Sequence, residues 1–290
     1  MPPKPNLFII GAMKSGTTSL HNYLDMHPQI FMSANKEPGY FVEELTLNRG
    51  PHWYQSLFEG AEKLKYRGES STHYTKLPRY SGVAERIHNF NKEAKLIYIM
   101  RDPFERMISH YWHAVREVHF GGEIRPIIKA VTECTDYLAF SEYVLQLTPY
   151  IRLFGRDAIY VMTFEALLGD PQREISKLVA WLDLPALDLG KEAYEPYNQK
   201  PAKLIGVAGN GLLNKIQYSS AWSKVSRWTP SSLKDIAKQI AYRDICESDQ
   251  IEQIAKLKAT VMARQRRQID ALSTLLDRDF LEWPTAASPL

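Results

Sequence analysis

The chain has 290 residues, 44% of them hydrophobic and 24% charged, with a formal net charge of +3 at neutral pH. That size and balance exclude disordered and fibrous classes and set the expectation of one α/β domain over 1–290. The charge is mild and has no basic stripe with interleaved aromatics, so it points to a small anionic ligand and away from nucleic acid.

In chain order, Leu7 to Ile10 is a short apolar strand that breaks into the turn Gly11-Ala12-Met13-Lys14-Ser15-Gly16-Thr17-Thr18. Gly11 and Gly16 have the separation found in a phosphate-binding loop, but that loop carries its lysine directly after the second glycine, where Thr17 stands here. Lys14 comes two residues before Gly16 instead. A strand, a small-residue turn and a helix start still favour a phosphate-like group, because the first helical N–H groups and the helix dipole attract negative charge. Thr17 to Met26 reads as that helix, with Leu20, Tyr23 and Leu24 on one face and His27-Pro28 as its stop.

Gln29 to Met32 is the second strand and leads into Asn35-Lys36-Glu37-Pro38. Tyr66 to Glu69 is a third, ending in Ser70-Ser71-Thr72, with a helix marked by Val83, Ala84 and Ile87 behind it. Leu96 to Met100 is a continuous apolar run, as expected of a strand buried on both faces. Asp102 caps the next helix and Pro103 takes its first position, with Phe104, Met107, Ile108, Tyr111, Trp112 and Val115 along its apolar face. A further strand, Ala158 to Met162, precedes a helix that begins at Asp170-Pro171 and carries Ile175, Leu178, Val179 and Leu182.

This alternation predicts a mostly parallel central sheet with helices on both faces, and ligands at the carboxyl ends of its strands. Residues 191–254 read as a variable loop and helical cover, in which Lys200 and Lys203 fit a solvated loop better than a nucleotide contact. Ile269, Leu272, Leu275 and Leu276 mark a last helix. No apolar run nears the roughly 18 residues of a membrane span and no leader-like segment is present, so a cytoplasmic protein without a transmembrane segment is expected. Cys134 and Cys246 are the two cysteines, too few for a disulfide framework or a metal cluster. Oligomeric state is not legible.

Two stretches together, IIGAMKSGTTSLHNYLDMHPQI and LIYIMRDPFERMISHYWH, resemble the sulfotransferases that use 3′-phosphoadenosine-5′-phosphosulfate (PAPS), particularly the bacterial and heparan-sulfate-like branch. The resemblance continues through KEPGYF, GESSTHY, YVMTFEALLGDP and LLDRDFLEW, leaving out roughly 191–254. It implies a P-loop-like three-layer sandwich and metal-independent, in-line transfer of a sulfuryl group from PAPS to a hydroxyl or amine. It also accounts for the displaced lysine: in this family the lysine stands where Lys14 does and meets the bridging oxygen as charge develops there. Ser15, Gly16, Thr17 and Thr18 would hold the 5′-phosphate, and Arg101 and Ser109 the 3′-phosphate. The catalytic base implied is Glu37, beside Lys36, with His73 as second choice. The acceptor class stays open among small molecules, lipids and carbohydrates. The heparan-sulfate branch has Lys and then Pro where Ser70 and Thr72 stand here, so the resemblance carries the donor site further than the acceptor.

Two other readings compete. A P-loop kinase would use Asp102 as a magnesium-holding acid, but lacks its lysine after Gly16 and has Arg101 before that acid. A silent nucleotide-binding module would bind without turnover, yet no donor-site residue is lost.

Overall fold

The computed structural model describes residues 4–116, 123, 125–190, 205–207, 242–244 and 247–287. Five parallel strands form one sheet in the order β2-β3-β1-β4-β5: β1 (Leu7–Gly11), β2 (Ile30–Met32), β3 (Tyr66–Ser70), β4 (Lys95–Met100) and β5 (Ile159–Thr163). The helices between them are α1 (Thr17–Asp25), α2 (Gly50–Ser56), α3 (Val83–Phe90), α4 (Pro103–Arg116), α5 (Ile127–Glu133), α6 (Asp136–Ala139), α7 (Tyr143–Phe154), α8 (Phe164–Gly169) and α9 (Pro171–Trp181). Later come a 30-residue helix, Glu247–Leu276, and a short turn, Pro284–Ala287. The five strands fall where the hydrophobic runs put them, to within a residue at each end.

The chain divides into two compact units. The first takes residues 1–108, 135–199 and 261–290 and holds the parallel sheet. The second takes 109–134 and 200–260 and includes a two-stranded antiparallel ladder, Ile205–Val207 with Tyr242–Asp244. Lys200, Lys203 and Cys246 lie outside the described residues, as does most of the predicted cover over 191–254.

Strand alternation sorts the first unit's core into two layers. Phe8, Ile10, Leu96, Tyr98 and Met100 face one side, against Val83, Ala84 and Ile87 of α3 and Tyr143, Leu147 and Tyr150 of α7. Leu7, Ile9, Ile97 and Ile99 face the other, against Leu20, Tyr23 and Leu24 of α1 and Ile175, Leu178 and Val179 of α9. Those strand residues are fully buried, which is why β1 and β4 read as unbroken apolar runs. The expected α/β sandwich, with helices on both faces of a parallel sheet, is the observed one. Ile269, Leu272 and Leu276 of the predicted last helix join the first layer.

Asp102 caps α4 and does more. Its Oδ1 accepts from the N–H groups of Phe104 (2.9 Å) and Glu105 (3.2 Å) and from the Thr285 hydroxyl (2.7 Å), while Oδ2 accepts from the Thr285 N–H (2.7 Å). Glu165 closes the arrangement, accepting from the Asp102 N–H (2.9 Å) and from the Trp283 ring N–H (3.0 Å). The chain's last turn is thus tied to the start of α4 through a carboxylate that is 1% exposed. Replacing Asp102 by Ala removes a cap and leaves buried donors unmet, so Asp102→Ala should lose about 2–3 kcal/mol of unfolding free energy in urea titration.

Candidate active site

The site begins where β1 ends. The Ala12 N–H donates to the Ile99 carbonyl (2.7 Å), holding the loop's first residue to β4, and the Ser15 N–H donates back to the Ala12 carbonyl (3.2 Å). Gly16 caps α1 at φ 86°, and no described side chain caps that helix. Its first-turn donors therefore face the loop without a side-chain acceptor, which is the anion-ready condition of a helix start. Ser15 is fully buried and its hydroxyl has no hydrogen-bond partner among the described residues. An unmet buried hydroxyl at a helix start fits a phosphate oxygen, so the residues present suit the 5′-phosphate of PAPS.

Phe164, at the start of α8, joins the two strongest sequence motifs. A β-carbon at Gly16 would lie 2.7 Å from Cδ2 of Phe164, so only glycine lets the loop approach the ring. The Arg101 guanidinium lies 5.2 Å from the centre of the same ring. Its side chain is 18% exposed and makes a long contact to Glu105, 3.4 Å. Tyr143 fixes the Arg101 backbone, its hydroxyl donating to the Arg101 carbonyl (2.5 Å) and accepting from the Arg101 N–H (3.3 Å). Ser109 lies partly buried, eight residues further along α4, in the second unit.

The strands' carboxyl edge also assembles the candidate base. The Glu37 N–H donates to the Ser70 carbonyl (2.9 Å), placing the loop after β2 against the end of β3. Glu37 Oε2 accepts from the Thr72 N–H (2.7 Å) and hydroxyl (3.1 Å), and Oε1 from the Lys36 ammonium (3.0 Å). The His73 Nδ1 lies 3.3 Å from Oε2, close but without the alignment of a full hydrogen bond. Burial opposes the charged form of Glu37, but His73 and Lys36 together outweigh it and hold the carboxyl down at about 2. Lys14 and Glu37 adopt left-handed backbone angles, φ 69° and 61°. Such angles cost a non-glycine residue about 1 kcal/mol or more and survive where the surroundings impose them.

The structure therefore brings Lys36, Glu37, Thr72 and His73 into direct contact, and sets Gly16 and Arg101 against one ring. Lys14, Ser15, Thr17 and Thr18 stand in the loop and first turn between β1 and the body of α1.

The chain matches the family model described as "Sulfotransferase domain" over residues 4–201. It belongs to the sulfotransferase family. Among relatives of this family member, the membrane-associated sulfotransferase kil1 of Dictyostelium discoideum is 40% identical over 39% of this chain and 23% of its own. A mouse heparan sulfate glucosamine 3-O-sulfotransferase, 3B1, is 27% identical over 67% of this chain and 50% of its own. The chain thus spans half or less of the length of these two relatives. A sulfotransferase structure from Alicyclobacillus acidocaldarius superposes with TM-score 0.69 at 21% identity, covering 97% of this chain and 99% of that one, and so shares the fold. Among the described residues no helix is long and apolar enough to cross a membrane.

Sequence reasoning missed Glu69. This carboxylate is fully buried; Oε1 accepts from the hydroxyls of Tyr54 (3.0 Å) and Tyr74, and Oε2 from that of Ser71 (2.8 Å). The Ser71 oxygen in turn accepts from the Gly39 N–H (2.9 Å), so Glu69 anchors the loop that carries Glu37. The only signal available beforehand was an acid in an otherwise buried strand. Burial pushes the Glu69 carboxyl up to about 7, against the pull of its three hydroxyl donors. The folded state therefore binds a proton between about pH 4.5 and 7 that the unfolded state has released, and stability falls as pH rises through that window. Unfolding free energy should accordingly decline from pH 5 to 8 in the wild type and flatten in Glu69→Gln, as read by urea melts at each pH.

Proposed function

We propose that this chain transfers the sulfuryl group of PAPS to a hydroxyl or amine acceptor, in line and without a metal. The observation that carries this reading is the setting of Gly16 and Arg101 against the one Phe164 ring, beside a loop whose buried Ser15 hydroxyl awaits an oxygen. When bound, PAPS supplies a sulfuryl group whose bond to the bridging phosphate oxygen breaks as its bond to the acceptor forms. Ser15, Gly16, Thr17 and Thr18 hold the 5′-phosphate through N–H and hydroxyl donors, and Arg101 and Ser109 hold the 3′-phosphate. Lys14 stabilises charge that develops on the leaving oxygen.

Glu37 and His73 take the acceptor's proton as a pair. A carboxylate held at about 2 has little tendency to take a proton by itself. In contact with His73, it orients the ring and stabilises the imidazolium formed when the ring accepts that proton. The kinase alternative is disfavoured by Asp102, whose two oxygens already accept four hydrogen bonds from within the chain.

The deciding experiment is calorimetry with 3′-phosphoadenosine-5′-phosphate (PAP) and with ATP, each with and without EDTA. PAP should bind far more tightly, with no change on adding EDTA; magnesium-dependent preference for ATP would sink the proposal. Arg101→Ala should weaken PAP binding by about 1.5–3 kcal/mol, the worth of a charge-assisted hydrogen bond, whereas Lys14→Ala should lower kcat more than donor affinity. Glu37→Gln and His73→Ala should each lower kcat by about 10²–10⁴, the range of general base catalysis, with PAP affinity unchanged. If His73→Ala kept native turnover while Glu37→Gln lost it, Glu37 alone would be the base.

A further inference from the structure

Beyond the residues assigned above, the segment after β3 buries a cation that no carboxylate contacts among the described residues. Lys76 follows directly on the 3₁₀ turn Thr72–Thr75 that carries His73. It is 9% exposed, and among the described residues no carboxylate pairs with its ammonium. Its ammonium lies over the ring of Phe140, 6.0 Å from the centre. The nearby carboxylate that could have served, Asp136, is taken by Arg79 at 2.5 Å.

Arg106 repeats the pattern. It is fully buried; its Nε donates to the Ser141 hydroxyl (2.6 Å) and one Nη to the Tyr137 carbonyl (2.6 Å), while the other Nη has no partner among the described residues. Lys76 and Arg106 thus meet the same short stretch, 137–141. Gln146 fixes that stretch relative to Lys76: its amide N–H₂ donates to the carbonyls of Leu77 and Ala139, both 2.9 Å, and its oxygen accepts from the Leu77 N–H (2.8 Å). The charged groups acting on Lys76 are Glu37, Arg79, Arg106 and Asp136, with Glu37 the strongest. Lys76 therefore lies within electrostatic reach of Glu37, three residues beyond the His73 that Glu37 contacts.

A buried cation without a contacting anion costs several kcal/mol, a cost that an incoming anion would offset. We propose that Lys76, with Arg106 behind it, is an anion subsite for the acceptor and takes a carboxylate or sulfate group on the molecule whose hydroxyl or amine is sulfated. The proposal rests on the sulfuryl-transfer reading for the word acceptor, but not for the anion site itself.

The test uses the full chain with PAP present, so that the donor loop is filled, and inorganic sulfate as the probe. At constant ionic strength, replacing chloride by sulfate should raise the melting temperature of the wild type with a saturable dependence. Lys76→Met should lose the saturable part and melt higher than wild type in chloride, because it removes the buried charge; Lys76→Arg should keep the response. PAP affinity should be unchanged in Lys76→Met. Among labelled-donor acceptors, those bearing an acidic group should lose at least about tenfold in kcat/KM on Lys76→Met, and neutral ones should not.

An equal sulfate response in wild type and Lys76→Met overturns the subsite. A large loss of PAP affinity in Lys76→Met also overturns it, because the cation would then serve the donor. So does an equal effect of Lys76→Met on acidic and neutral acceptors. If PAP fails to bind the wild type, the sulfuryl-transfer reading fails instead, and the difference in sulfate response still reports on Lys76.

Discussion

At Gly16 the backbone runs so near the Phe164 ring that a β-carbon would sit 2.7 Å from it, and the Arg101 guanidinium lies against the same ring. This approach couples the end of β1 to the end of β4 and the start of α8. It requires glycine at one position and an aromatic at another, far apart in sequence. The loop after β1 is further held by the Ala12 N–H on the Ile99 carbonyl, and the Thr75 hydroxyl donates to the Ile10 carbonyl (2.7 Å). With β1 at the centre of the sheet, each neighbour's carboxyl end thus contributes a group within reach of one loop. A parallel sheet puts those ends on one edge, and the interactions just named turn the edge into a site.

Two carboxylates at that edge are driven in opposite directions. Glu37 is held ionised by Lys36 and His73, whereas Glu69 is lifted towards neutrality by burial that its hydroxyl donors do not overcome. They are linked mechanically: Glu69 accepts from Ser71, and Ser71 accepts from Gly39, two residues beyond Glu37. The fully buried acid therefore sets the loop's position, while the partly buried one is the proposed partner of the base. Two acids of the same residue type are in this way held in opposite protonation tendencies by their environments alone.

The strands and the helices beside them were legible because burial on both faces leaves unbroken apolar runs, and because Pro, Gly and Asp mark the helix starts. The loop lysine was legible too, since its position relative to Gly16 is a purely local feature. What was hidden depends on contacts between distant segments. Phe164 and Glu165 stood in the stretch YVMTFEALLGDP with no role assigned to either, although Glu165 ties Asp102 to Trp283. The pairing of Glu37 with His73 spans 36 positions and arises because β2 and β3 pair side by side, so that the loop after one meets the turn after the other. Sequence offered two separate candidates for the base; the structure joins them.

The departure at Ser70 has a physical counterpart. Where the heparan-sulfate branch has a lysine, this chain's Ser70 hydroxyl meets the Nδ1 of His21 at 2.8 Å, both residues being buried. Burial first, and then the charge of Lys36, push the His21 ring below its ordinary value, so this pair favours the neutral state. A fixed positive charge is thereby absent from the end of β3. The groups that hold Glu37 ionised are then His73 and its own neighbour, Lys36, while Lys76, in the segment beyond the 3₁₀ turn, is itself acted on by Glu37. Moving the charge from the strand end to that segment changes where an anionic part of an acceptor would be drawn, while the donor loop is untouched. On the proposed reading, acceptor selection and donor binding would fall to the ends of different strands of one sheet.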